Sequence, residues 1–240
     1  MQNLNYGVIG NCSTAALISE KGAIEWLCFP EFDSPSVFAA ILDRQKGGHF
    51  GFKVTSDYKV TQSYVPHTNI LSTHFESEEG AFDVVDFMPC YPTSDGKDFY
   101  RPAEIYRYIR WAKGRPRMKV DYRPAPNYAR GKTIYNVTSQ YVETYSSVEN
   151  KDRQYLYSSF DLKKVVNHDE ITLEKDEFFL FSFNEKVIPV DIEREKLEYC
   201  RTLVYWLNWT DHAKRYTRYN EVIERSMLVL KLMTYRNGAV

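Results

Sequence analysis

The sequence predicts a mainly β protein: an antiparallel sandwich first, then two helices. Three observations carry that reading. Short apolar runs recur at roughly even spacing over residues 1–190, with turn residues between them and no long helical pattern. Aromatic residues are abundant, with 19 Tyr and 14 Phe, and these types favour half-buried sheet faces. Beyond residue 190 the apolar spacing changes to that of helices.

The elements follow in order. Tyr6 to Ile9 begins a strand. Thr14 to Ser19 and Ala23 to Cys28 form a hairpin, because Glu20-Lys21-Gly22 ends in the Gly that a left-handed bulge position favours. Phe29 to Pro35 holds two prolines and reads as an ordered loop. Ser34-Pro35-Ser36 predicts the start of a short helix filled by Val37, Phe38, Ala39, Ile41 and Leu42 and closed by Gly47-Gly48. A meander follows: His49–Val54, Lys59–Tyr64, Ile70–Glu76 and Ala81–Met88, then a polar connection from Pro89 to Arg101. Strands are expected at Ile105–Lys113, Pro116–Tyr122, Thr133–Val137, Gln140–Ser146, Gln154–Ser159, Leu162–Asn167 and Glu177–Asn184. The switch comes near Pro189. Glu195 to His212 reads as helix, with Leu197, Cys200, Leu203, Val204 and Leu207 at helical spacing. After a polar break at Arg215 to Tyr219, a last helix runs to Tyr235 and is apolar almost all round in its second half. A helix of that kind needs cover on most of its surface, so the chain reads as the front of a larger protein.

Charge and composition exclude several functions. The net charge is -1, so no long-range field points to nucleic acid or an anionic membrane. No apolar run approaches the ~20 residues that span a bilayer. The start, Met1 to Asn5, is polar and uncharged, unlike a signal peptide. Cys12, Cys28, Cys90 and Cys200 fit no zinc or CxxC spacing, and His49, His67, His74, His168 and His212 fit no HxxxH or HExxH pattern. The expectation is a reduced, cytoplasmic protein without metal or cofactor, in which the sequons at Asn11, Asn136 and Asn208 are chance matches.

Three stretches resemble one family. Tyr6-Gly-Val-Ile-Gly10 leads through Thr14-Ala-Ala-Leu-Ile-Ser19 and Gly22-Ala-Ile-Glu-Trp-Leu-Cys28 to Phe32-Asp-Ser-Pro-Ser-Val-Phe-Ala39. This run resembles the opening of bacterial and archaeal family-fifteen glycoside hydrolases, the glucoamylase and trehalase-like enzymes. Val85-Asp-Phe-Met-Pro89 resembles a second stretch of the same front domain. Tyr219 to Tyr235 with Gly238-Ala-Val240 resembles the first helix of the family's catalytic barrel. The resemblance implies a β-supersandwich over 1–190, a helical linker over 191–218, and the first helix of an (α/α)6 barrel over 219–240. It also implies inverting hydrolysis of α-glucosidic bonds, with an acid protonating the leaving oxygen and a second carboxylate activating water. In the family both are barrel glutamates, and only 42 residues follow Glu198 here. The expectation is therefore no catalytic residue within these 240 positions.

Asp83 and Asp86 lie three apart on a strand and face opposite sides. Glu31 and Asp33 lie two apart in a Pro-bounded loop near Trp26. Both pairs are better read as loop and turn groups than as catalytic acids. The loop Phe32, Asp33 and Ser34 is the candidate for substrate contact or domain docking; its plainer reading is that Asp33 and Ser34 cap the helix beginning at Val37. Arg107, Arg110, Arg115, Arg117, Arg123 and Arg130 read as charges on a solvent-facing strand edge. Trp206 and Trp209 read as packing residues. The expected partners are an α-glucan or trehalose-type sugar, met through the barrel, and either that barrel or a second copy covering residues 222–233. The rival reading is a non-catalytic carbohydrate-binding or scaffolding module acting with a separate partner.

Overall fold

The computed structural model describes residues 4–148, 151–188, 190–214, 217–235 and 238. Seventeen strands and three helices are assigned among them. The expected switch at Pro189, the break at Arg215 and the end of the third resembling stretch fall partly outside the described residues.

The first sheet combines β1 (Tyr6–Gly10), β2 (Ala15–Ser19), β3 (Ile24–Cys28), β4 (Ser36–Phe38), β5 (His49–Lys53), β12 (Arg117–Arg123) and β16 (Glu170–Thr172). Their order is β1-β2-β3-β5-β12-β16, with β4 on β3. The second sheet takes β6 (Lys59–Tyr64), β7 (Leu71–Glu76), β8 (Gly80–Phe87), β11 (Glu104–Gly114), β13 (Thr133–Val137), β14 (Val142–Ser146), β15 (Gln154–Ser158) and β17 (Glu177–Phe183). Its order is β13-β14-β15-β17-β11-β8-β7-β6. A small hairpin, β9 (Tyr91–Pro92) with β10 (Phe99–Tyr100), stands apart. Every pairing is antiparallel.

The two sheets share one aromatic core. Phe38, Phe50, Phe52 and Tyr122 from the first sheet meet Phe75, Phe82, Phe179 and Phe181 from the second. Phe50 and Phe179 meet edge to face at 5.4 Å, an arrangement that the ring quadrupoles favour. The outer face of the second sheet is also buried. Val85, Phe87, Tyr106, Tyr108 and Leu180 there pack under α2 (Ile192–Asp211) and α3 (Asn220–Met233). The sheet is thus a middle layer, which explains why β17 is buried at all seven positions rather than alternating.

Four sequence expectations need correction. Val37 to Leu42 is not a helix. Ser36–Phe38 is a strand paired to β3, and Ala39 and Ala40 donate to the carbonyls of Gly47 and Gly48. Burial of Val37 and Phe38 between the sheets overrides the local helix signal. Leu162–Asn167 is a helix, α1, not a strand. Asp161 caps its start by accepting from the Lys163 N–H, and His168 ends it in the left-handed region at φ 58°. Leu162 and Val165, three apart, share its buried side. The connection Pro89–Arg101 carries the β9–β10 hairpin, which its proline and charge content concealed. The arginines are not one solvent-edge series: Arg115, Arg117, Arg123 and Arg130 are exposed, but Arg107 is not. β11 lies between β17 and β8, and Arg107 is wholly buried in the core. Its guanidinium donates to Asp86 Oδ1 at 2.7 Å and to the Phe50 carbonyl at 2.6 Å, and stacks 4.7 Å from the Phe50 ring.

Other expectations hold. The Glu20-Lys21-Gly22 turn has its Gly at φ 74°, the left-handed conformation a residue without Cβ adopts freely. Asp83 and Asp86 face opposite sides of β8: Asp83 pairs with His74 and Arg110 outside, Asp86 with Arg107 inside. No helix among the described residues is long and apolar enough to cross a membrane.

Candidate functional site

The second helix buries its polar side. Asp191 starts α2 by accepting from the Arg194 N–H at 2.8 Å, and Glu193 complements the helix dipole in the first turn. An apolar stripe ordinarily marks the buried face of a helix. Here Leu197, Val204 and Leu207 are exposed, Val204 by 63%. Glu195, Glu198, Thr202, Tyr205 and Trp206 turn inward instead. The sheet beneath mixes tyrosines with apolar residues, and one of those tyrosines bonds to α2. Tyr106 donates to Glu104 at 2.9 Å and accepts from Arg194 Nε at 3.2 Å.

α3 also leaves apolar residues outside, although it buries leucines rather than polar groups. It buries Leu228 and Leu232 and leaves Val222, Leu230 and Met233 exposed, Leu230 by 58%. Polar contacts seat it on the β6–β7 turn. The Arg225 guanidinium donates to the Thr68 carbonyl and the Asn69 side chain, Asn69 donates to the Leu228 carbonyl, and His67 pairs with Glu224.

Between α2, α3 and the β9–β10 hairpin runs an open groove of about 1380 Å³. Tyr91, Phe99 and Tyr100 line it from the hairpin; Arg194, Glu198, Arg201, Val204, Asn208 and Trp209 line it from α2; Met227 and Lys231 line it from α3. One wall is a fixed polar cluster. Tyr91 donates to Glu198 at 2.7 Å, and Arg201 reaches both groups at 3.3 Å. Sequence reading missed this cluster. Its signal was present as Glu198 and Arg201, three apart on a helix, the spacing that places them on one face.

Two carboxyl groups behind the groove hold their protons unusually well. Burial pushes Glu104 up to about 6, against the opposing pull of the Tyr106 hydrogen bond and the Arg194 charge. Burial, with the charges of Asp86 and Glu198, pushes Glu195 well above the ordinary carboxylate range. Such values suit proton donors. However, Glu195 is only 1% exposed and lies against the sheet under α2. A saccharide in the groove does not reach it. Trp206 is buried as expected, whereas Trp209 is half-buried and faces the groove.

The Phe32, Asp33 and Ser34 loop lies elsewhere. The Phe32 N–H donates to the Ser13 carbonyl at 3.0 Å, and the Phe32 ring meets Tyr235 edge-on at 6.2 Å, just beyond the end of α3. Ser34 caps no helix: its hydroxyl accepts from the Glu31 N–H at 3.0 Å and closes its own loop. Asp33 is exposed and Trp26 is half-buried. None of these residues lines the groove.

Comparison with known proteins places this architecture. The trehalase-like N-terminal domain family matches residues 5–150. The chain is 30% identical, over 91% of its length, to a trehalase of Thermoplasma acidophilum, of which it covers 38%. It is 27% identical, over 97% of its length, to trehalase 2 of Sulfolobus acidocaldarius, covering 39% of that protein. An 85-residue stretch, 35% of this chain and 14% of the relative, is 51% identical to trehalase 1 of the same organism. The chain thus spans less than two-fifths of the length of the relatives it matches over most of its own. On the family match and the shared identity, the chain belongs to the trehalase-like N-terminal domain family.

Proposed function

We propose that these 240 residues are the supporting domain of a cytoplasmic, inverting α-glucosidic hydrolase of trehalase or glucoamylase type. Both catalytic carboxylates then belong to a helical barrel, as do the main contacts to an α-glucan or trehalose-type sugar. In this reading residues 1–190 are the supersandwich, 191–218 the linker, and 219–240 the first barrel helix. The supporting observation is the outward apolar stripe of α2, Leu197, Val204 and Leu207, together with the exposed Val222, Leu230 and Met233 of α3. A surface of that kind calls for cover, and a barrel packed on it supplies the cover. The Phe32 loop, resting on Tyr235, then braces the domain against the barrel.

The test is a docking mutation. Val204→Glu and Leu230→Glu place charges on the stripe without touching the sandwich core. The reading predicts wild-type circular dichroism for the 240-residue chain and a large loss of trehalose or maltose hydrolysis in a longer polypeptide carrying the same changes. Undiminished hydrolysis with both charges present contradicts it.

A second reading is favoured by one feature of the groove. Tyr91, Tyr100 and Trp209 beside Arg201, Glu198 and Asn208 combine ring faces with planar hydrogen-bonding groups, the pairing that suits sugars. In that case the chain is a carbohydrate-binding or scaffolding module, and titration calorimetry with maltose or trehalose gives a signal that Tyr91→Ala abolishes. Dimerisation through 222–233 is distinguished by sedimentation: Leu230→Glu then turns a dimer into a monomer.

A further inference from the structure

We propose that the sandwich holds a binding site for one neutral sugar ring of hexose size, in a cavity of about 310 Å³ beside the start of β15. That volume lies at the small end of ligand sites, about 300–1,000 Å³, and suits one ring rather than a chain. Phe29, Val37 and Phe183 supply apolar walls, and Ser146, Asp152 and Gln154 supply polar groups. None of these six residues lines the groove between α2 and α3. The observation that points to a ligand is Gln154. It is 1% exposed, yet its amide nitrogen finds no hydrogen-bond partner among the described residues. A buried donor ordinarily has one. Its amide is held from behind: the Thr144 hydroxyl donates to Gln154 Oε1 at 3.4 Å, and the Tyr122 hydroxyl lies 3.2 Å from that of Thr144. With Oε1 so engaged, Nε2 is the group left to serve the cavity.

The other polar groups are also held in place. The Asn184 side chain donates to Asp152 Oδ1 at 3.0 Å and accepts from the Arg153 N–H at 2.7 Å, which fixes the Asp152 carboxylate at the exposed rim. The Ser146 hydroxyl, on a residue 3% exposed, accepts from the Val148 N–H at 3.3 Å and keeps its own proton to donate. A further wall is the backbone turn that begins at Asn127. Asn127, Tyr128 and Ala129 lie in the left-handed region at φ 56°, 55° and 56°, a run that residues with a β-carbon seldom adopt. The Tyr128 N–H donates to the Ser36 carbonyl at 3.2 Å and the Ala125 N–H to the Val37 carbonyl at 2.9 Å, so this turn is tied to β4. The cavity is therefore preformed, and little ordering is needed on binding. Its chemistry selects the ligand class. The described lining carries one charge of each sign, Asp152 and Lys151, both at the exposed rim, so nothing there recruits an ion. Sugar hydroxyls both donate and accept: one can accept from Gln154 Nε2 while a neighbour donates to Asp152. The apolar walls then meet the C–H groups of the ring.

Titration calorimetry of the 240-residue chain with D-glucose is the test. The expected result is saturable one-to-one binding in the low millimolar range, as for one ring held by a few hydrogen bonds. Gln154→Met should weaken it about tenfold, and Asp152→Ala, a surface change that leaves the core intact, about threefold or more. Tyr91→Ala, which alters only the groove, should leave it unchanged. An ordered water alone on Gln154 would give no saturable signal up to about 100 mM glucose, and that result overturns the proposal. So does binding that both Gln154→Met and Asp152→Ala leave undiminished, or binding that Tyr91→Ala abolishes, which places the sugar in the groove instead.

Discussion

Replacing Arg107 by Met should destabilise the sandwich more than any surface change. Arg107 and Asp86 are both 0% exposed, and the guanidinium serves three acceptors. It donates to Asp86 at 2.7 and 3.2 Å, to the Phe50 carbonyl at 2.6 Å and to the Gly22 carbonyl at 2.5 Å. Phe50 and Gly22 belong to the first sheet and its hairpin, Asp86 and Arg107 to the second. One side chain thus ties the two layers. Breaking a buried pair from one side costs about 3–5 kcal/mol. Each carbonyl left without a partner adds about 1 kcal/mol. A loss of about 5–7 kcal/mol is expected, against a total stability of about 5–15 kcal/mol. At about 2–4 °C per kcal/mol for a domain of roughly this size, the midpoint should fall by about 10–28 °C. Urea unfolding followed by tryptophan fluorescence measures it. The double variant Arg107→Met with Asp86→Leu removes the stranded carboxylate and should recover part of the loss. Acid should narrow the gap between Arg107→Met and wild type, because Asp86, already pushed up by burial, then takes a proton. The reasoning fails if Arg107→Met costs less than about 1 kcal/mol, or if the double variant is no more stable than the single one.

Further outcomes follow from the same structure. Glu104 and Glu195 hold protons more tightly folded than unfolded, so their contribution is full below about pH 4 and is lost as pH rises through about 6 for Glu104 and higher for Glu195. Glu195→Met, which also removes two oxygens without hydrogen-bond partners, should raise the midpoint near neutral pH and flatten its pH dependence in thermal melts. Asp121 behaves oppositely. Burial alone would raise its carboxyl, but hydrogen bonds from Lys53, His49 and Arg123 outweigh burial and hold it well below the usual range. Asp121→Asn should therefore cost stability at neutral pH and cost progressively less as pH falls below about 4. Gly47→Ala should destabilise by about 2–4 kcal/mol, because a β-carbon there would meet the Ala39 carbonyl oxygen at 2.2 Å; equilibrium unfolding checks it.

The sequence was most legible where local and tertiary demands agree. Lys59–Tyr64 and Thr133–Val137 have the bounds expected from their patterns, since each pairs in a plain antiparallel ladder. Legibility failed where a distant partner decides. Ser36–Phe38 is drawn into β3 despite its helix-like start, and Leu162 and Val165 suit a helix only because a cap precedes them and β12 lies beneath. Arg107 looks like a surface residue until Asp86 and two carbonyls from another layer surround it. The groove was hardest to foresee. Its wall depends on α2 burying glutamates and exposing leucines, the reverse of what its apolar spacing foretells.

The most direct test of the supporting-domain reading is complementation. The 240-residue chain is mixed with a separately produced polypeptide carrying the remainder of a trehalase-like protein, and glucose release from trehalose and maltose is measured. The account predicts release only from the mixture, and little when the chain carries Val204→Glu and Leu230→Glu. Glucose released by the 240-residue chain alone, or a mixture indifferent to those two changes, would contradict it.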